Sequence, residues 1–140
     1  MTPQEMCELI QEQAKFSGHS LEGLERGVIP FATLPQVKFV AILLRKCGVP
    51  EPWRLYVTGK LVERELRSSK DIGFWEAQAI IDYLLLGSDG KGGSETEPCE
   101  EAKEAIGMLL MQTMAASVAK MQRRKNGGNR VKVIQQLGFA

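Results

Sequence analysis

Residues 105 to 119, AIGMLLMQTMAASVA, contain no charged side chain. Read as a helix, the stretch from Ala105 to Met121 is apolar almost all the way round, a pattern that a solitary surface helix does not carry. It falls short of the roughly 20 apolar residues that cross a bilayer and includes Gln112, Thr113 and Ser117, so a membrane span is not expected. The chain must therefore cover this helix, either with the segments before it or with another subunit.

Those earlier segments read as helices marked off by turn residues. Thr2 and Pro3 form a cap and first-turn pair, and Met6, Leu9, Ile10 and Ala14 recur at helical spacing as far as Ser17-Gly18-His19. Ser20 caps a short second helix, LEGLER, stopped by Gly27, and VIPFA reads as an extended link pinned to the core by Ile29 and Phe31. Thr33 and Gln36 have capping-box spacing and open a helix over 34 to 46, with Val37, Val40, Ile42, Leu43 and Leu44 as its apolar residues. Gly48 supplies a left-handed stop, Pro50 prevents continuation, and Pro52 starts a helix expected to run to Arg67 or Ser68. Gly73 and Glu76 begin the next, whose apolar stripe is Phe74, Ala77, Ile81, Leu84 and Leu85, and Gly87 ends it.

Residues 88 to 97 have the composition of a flexible Gly/Ser linker. They separate a helical module, 1 to 87, from a carboxyl-terminal segment, 98 to 140, expected to pack on that module or on a partner subunit. Its helix is expected to reach about Lys125, where Asn126-Gly127-Gly128-Asn129 reads as a strong break. RVKVIQQLGFA then fits a short helix or a short strand. No repeat is present, and the fold class is all-α, a compact bundle of five or six helices.

The net charge of +1 is unevenly placed: about −3 over residues 1 to 34, +2 over 35 to 87, −4 over 88 to 104 and +6 over 105 to 140. An acidic collar thus precedes a basic tail. Cys7, Cys47 and Cys99 are far apart and odd in number, which argues against a disulfide framework or zinc site and for a reducing cytoplasm. The amino terminus, MTPQEMCELIQEQ, lacks the basic and apolar regions of a signal peptide.

Catalytic patterns are missing. Glu76 and Asp82 point about 120° apart on one helix and do not form an acid/base pair. His19 lies in a turn without ligand or triad partners, the glycine-rich stretch matches no phosphate loop, and lysine at its third position spoils a calcium loop at Asp89. The expectation is a protein without catalytic residues, cofactor or metal.

Binding patterns are better represented. At 100° per residue, Trp53, Tyr56, Lys60, Arg64 and Arg67 fall within about 80° on a helix reaching Arg67, opposite Leu55, Val62 and Leu66. Cations interleaved with aromatics suit phosphates and stacked bases. A solvated face, with the rings folded under a loop, is the simpler alternative. In the tail, Lys120, Arg123, Arg124, Lys125, Arg130 and Lys132 fit a polyanion or an acidic partner protein, or in part complement a helix dipole. Met108, Leu109, Met111 and Met114 offer an adaptable apolar surface for a protein partner or a second copy, and Trp75 and Leu86 flank the polar side of the 74 to 86 helix.

TLPQVKFVAILLRKCGVPEP followed by ERELRSSKDIGFWEAQAIIDYLL resembles a small helical domain of phage and mobile-element proteins of DNA recombination and regulation. That domain occurs beside Rad52-like and RecT-like annealing proteins and in the Mu-like phage family called GemA. The matching positions are Thr33, Gln36, Gly48, Ser68, Asp71, Ile72, Glu76, Ala77, Ile81, Asp82 and Leu84; Gly73 and Gln78 depart from the pattern. The resemblance covers residues 33 to 87 and implies a setting in DNA transactions, with no catalytic set to carry over. The expected function is a non-catalytic accessory of DNA metabolism, with nucleic acid along the aromatic-cation stripe and the basic tail as a clamp. The alternative is an interaction subunit or inhibitor that docks through residues 105 to 121.

Overall fold

The computed structural model of the protein describes the backbone of residues 1–17, 31–91 and 94–136, and the side chains of 1–15, 31–91 and 94–121. The regular structure of the described residues is all-α: α1 Pro3–Ser17, α2 Leu34–Lys46, α3 Glu51–Leu61, α4 Phe74–Leu86 and α5 Glu100–Gln136, with a 3-10 turn at Ser69–Asp71. A single antiparallel bridge joins Phe31 to Gly73. The short helix at 21–26, Ile29 and His19 lie outside the described residues.

Local chemistry accounts for most of the boundaries. The Thr2 hydroxyl accepts from Glu5 N–H at the start of α1. At α2 the capping box closes both ways: Gln36 N–H donates to Thr33 Oγ1 at 3.3 Å and Thr33 N–H to Gln36 Oε1 at 2.9 Å. Its far end is a Schellman motif, with Gly48 at φ 90°, Gly48 N–H on Arg45 O and Val49 N–H on Leu44 O. Ser68 and Asp71 build the 3-10 turn: Asp71 Oδ2 accepts from the N–H groups of Arg67 and Ser68, and Ser68 Oγ accepts from Lys70 N–H. Ser68 and Asp71, two of the positions matched in the resemblance, thus form a capping device.

Two compact units follow one another along the chain, Met1–Leu110 and Met111–Ala140. In the first, α1 and α2 both pack on α4, while α3 touches α1 and α2. The position of α4 between other helices explains its density of apolar residues. Ala77, Ala79, Ile80, Ile81, Tyr83 and Leu84 are all buried, and so is Glu76. Met6, Ile10, Leu43, Leu44, Leu61, Ile72 and Ile80 complete the interior, each full burial of a large side chain contributing about 1.5–3 kcal/mol. The first turns of α5 belong to this unit, and bury Ala102, Ala105, Ile106 and Leu109. They are tied to α4 by Cys99 N–H on Leu84 O, and Ser88 donates from N–H and Oγ to the Glu101 carboxylate at 2.7 and 2.6 Å. Lys46 reaches Thr96 O and Glu97 Oε1.

Three expectations fail. The Phe31 side chain is 70% exposed and does not enter the core, although the backbone bridges Gly73; Ala32 is partly buried there and hydrogen-bonded through its N–H to Ile72 O. The helix that opens near Pro52 ends at Leu61, six residues before Arg67. And α5 continues through Asn126–Asn129 to Gln136 where a break was expected. Glycine costs a helix only about 1 kcal/mol per residue and keeps its N–H, so a Gly pair weakens a helix without interrupting its hydrogen bonds as proline does.

Candidate interaction surfaces

The early end of α3 reshapes the aromatic-cation stripe. After the helix the backbone folds back on it, with Arg64 N–H on Gly59 O and Glu63 at φ 54°. Gly59 permits this approach, because a Cβ there would stand 3.0 Å from Arg64 O. The turn still buries Val62 and Leu66, which explains why the apolar spacing reads as a continued helix face. Arg64 and Arg67 therefore lie beyond the helix that carries Trp53, Tyr56 and Lys60.

Arg64 has a different task. Its guanidinium donates from Nη2 to Glu76 Oε1 at 2.6 Å, from Nε to Glu76 Oε2 at 3.2 Å, and from Nη2 to Asp71 O at 2.6 Å. Glu76 is 2% exposed and also accepts the N–H of Gly73 at the start of α4. The carboxylate thus both caps α4 and receives a forked cation, the strong geometry for such a pair. Its hydrogen bond and charge push the Arg64 guanidinium further above its ordinary value. Sequence spacing identified Glu76 as a helix-start carboxylate but gave no sign of Arg64, because the pairing depends on the turn after α3.

What remains of the stripe is small. Tyr56 is 64% exposed, Lys60 and Arg67 are exposed, and Trp53 is half-buried against the core with its ring 5.9 Å from that of Tyr56. The basic positions Arg123, Arg124, Lys125, Arg130 and Lys132 fall on α5, and their side chains lie outside the described residues. Asp82 accepts from Gln78 Nε2 at 2.9 Å and stands apart from Glu76 in its contacts. Gln36 Nε2 links α2 to Gln78 and to Phe74 O. Among the described residues no group of three His, Cys, Asp or Glu side chains could hold a metal ion, and no helix is long and apolar enough to cross a membrane.

The apolar candidates divide. Trp75 is half-buried, edge-on to Phe74 with centroids 4.9 Å apart, whereas Leu86 is exposed. Along α5 the Met1–Leu110 unit buries Ala102, Ala105, Ile106 and Leu109 but leaves Met108 exposed. Further on, Met111 is 72% exposed, Met121 69%, and Met114 and Val118 are exposed as well. Thr113 is buried among them, so the cover expected for the whole stretch is met at some of its described residues only.

No protein family matches the sequence, and neither a curated protein nor a solved structure matches it significantly.

Proposed function

We propose that the protein is a non-catalytic helical adaptor that docks onto another helix through α5. The carrying observation is the row Met111, Met114, Val118 and Met121, all exposed and spaced 3, 4 and 3 residues apart. At 100° per residue these four fall within about 80°, the seam spacing of paired helices. Unbranched methionine adapts to irregular partners, which suits a docking face. In this reading residues 1–87 form the helical module, residues 88–97 are the tether before α5, and the protein works in a reducing cytoplasm.

The test is photo-crosslinking in the cells that make the protein, with a photoreactive residue at Val118 and, as control, at exposed Glu51 on α3. Discrete crosslinked products from position 118 alone are expected. Equal products from both positions, or none from 118, would contradict the docking face.

A second reading, an accessory role in DNA metabolism of a phage or mobile element, draws on the resemblance over residues 33–87. It is favoured by exposed Tyr56 beside exposed Lys60, with the tail cations as a clamp. Charge neutralisation and stacking would make such binding salt-sensitive and weakly sequence-selective. Anisotropy titration of single-stranded and duplex DNA at two salt concentrations tests it: Tyr56→Ala with Lys60→Ala should weaken binding, and absence of binding at low salt would sink it.

A further inference from the structure

A cleft of about 310 Å3 opens on the Met1–Leu110 unit between α2 and α3. Buried Val40, Leu44 and Ile72 form its floor, and half-buried Val37, Ala41 and Leu55 line its sides. All six are aliphatic. The volume lies at the lower end of the roughly 300–1,000 Å3 of small-molecule sites, which suits a short branched chain rather than a nucleotide or a lipid.

The charged groups of the cleft sit together at the amino-terminal end of α3, where Glu51 and Arg54 both line it. Arg54 Nε donates to Val49 O at 3.2 Å, which holds the guanidinium in place and leaves both Nη groups without a partner among the described residues. Glu51 has no ion-pair or hydrogen-bond partner among the described residues either, and the two do not pair with each other. The same spacing on α5 does close, with Lys103 Nζ 3.4 Å from Glu100 Oε1. An aliphatic cleft is therefore flanked by one unpaired cation and one unpaired carboxylate.

That combination selects among small apolar ligands by their head group. A branched fatty acid would satisfy Arg54 and confront Glu51, and an alkylamine would do the reverse. A zwitterion matches both, its carboxylate accepting from the Nη fork and its ammonium donating to Glu51. A guanidinium already held by Val49 O loses little freedom on binding, so the fork is prepared for its ligand.

We infer that the cleft between α2 and α3 binds a free aliphatic α-amino acid of leucine size, with its side chain among Val37, Ala41, Leu55 and Ile72, its carboxylate on Arg54 and its ammonium on Glu51. The site lies wholly within Met1–Leu110 and does not depend on docking through α5.

NMR titration of the isotope-labelled full chain tests this. The backbone amide shifts of Val37, Ala41 and Thr58 should move and saturate at millimolar L-leucine. Isocaproate, which lacks the ammonium, and isoamylamine, which lacks the carboxylate, should each bind about tenfold or more weakly, as should glycine, which lacks the side chain. Glu51→Gln should weaken leucine by a similar factor while strengthening isocaproate. Arg54→Gln should weaken both leucine and isocaproate while strengthening isoamylamine. Glu51 is exposed, so its variant keeps the test decisive even where Arg54→Gln disturbs the fold. Absence of saturable shifts with leucine, or leucine binding indifferent to Glu51→Gln and to loss of either charge from the ligand, would overturn the site.

Discussion

At the scale of single residues, Glu76 illustrates how a helix cap becomes part of the interior. A buried carboxylate is costly unless fully paired, and here Gly73 N–H and the Arg64 guanidinium supply the pairing. Removing one partner leaves a charge stranded, so Arg64→Ala is expected to destabilise the fold by about 3 kcal/mol, and Glu76→Gln to lose stability as well. Because each variant removes the same contact, the double variant should cost clearly less than the two singles added, a coupling read by urea unfolding. The thiols give an independent check. Burial pushes Cys7 and Cys47 up to about 11 from 9.0. Their reaction with iodoacetamide at pH 8 should run roughly a hundredfold slower than that of a free thiol. Since the unfolded thiols ionise first, the stability they contribute is complete below about pH 9 and is lost as pH rises from there through about 11. Equal labelling rates in native and unfolded protein would contradict this environment.

Between elements, the ends of helices divide into those written locally and those imposed by packing. The Thr33–Gln36 box, the Gly48 stop and the Ser68–Asp71 turn are local hydrogen-bonded motifs, and their residues announce them in the sequence. Gln36→Ala removes one arm of the box and its link to α4, and should cost about 1 kcal/mol in thermal unfolding. The end of α3 has no such announcement: Thr58, Gly59, Lys60 and Leu61 contain no strong breaker, and the chain leaves the helix because Arg64 is drawn to Glu76 and Val62 and Leu66 are drawn inward. Long-range pairing of this sort is invisible to periodicity, which extends the helix to Arg64 and Arg67 although it ends at Leu61. Gly59 is the one local trace of the turn. Gly59→Ala sets a Cβ 3.0 Å from Arg64 O, against backbone that has little room to give, and is expected to destabilise by about 1–3 kcal/mol. An unchanged melting temperature would mean that the turn after α3 relaxes freely. At α5 the opposite error occurred: Gly127 and Gly128 are strong punctuation by residue type, yet the helix carries through them.

For the molecule as a whole, the uncharged stretch at 105–119 raised an expectation of cover that the fold meets for some of its residues only. Ala102, Ala105, Ile106 and Leu109 are buried, while Met108, Met111, Met114, Val118 and Met121 remain exposed. Composition marks the stretch as apolar; only the placement of its first turns separates the residues that are covered from those that are open. The central claim is the proposal that the open row is a docking face for another helix. Hydrogen-peroxide footprinting reads it directly, with free methionine as internal standard, since thioether oxidation follows exposure. Met111 and Met121 should oxidise nearly as fast as the standard in the dilute purified protein and be protected in the cells that make it. Oxidation of both at the rate of the standard in both settings would contradict the account.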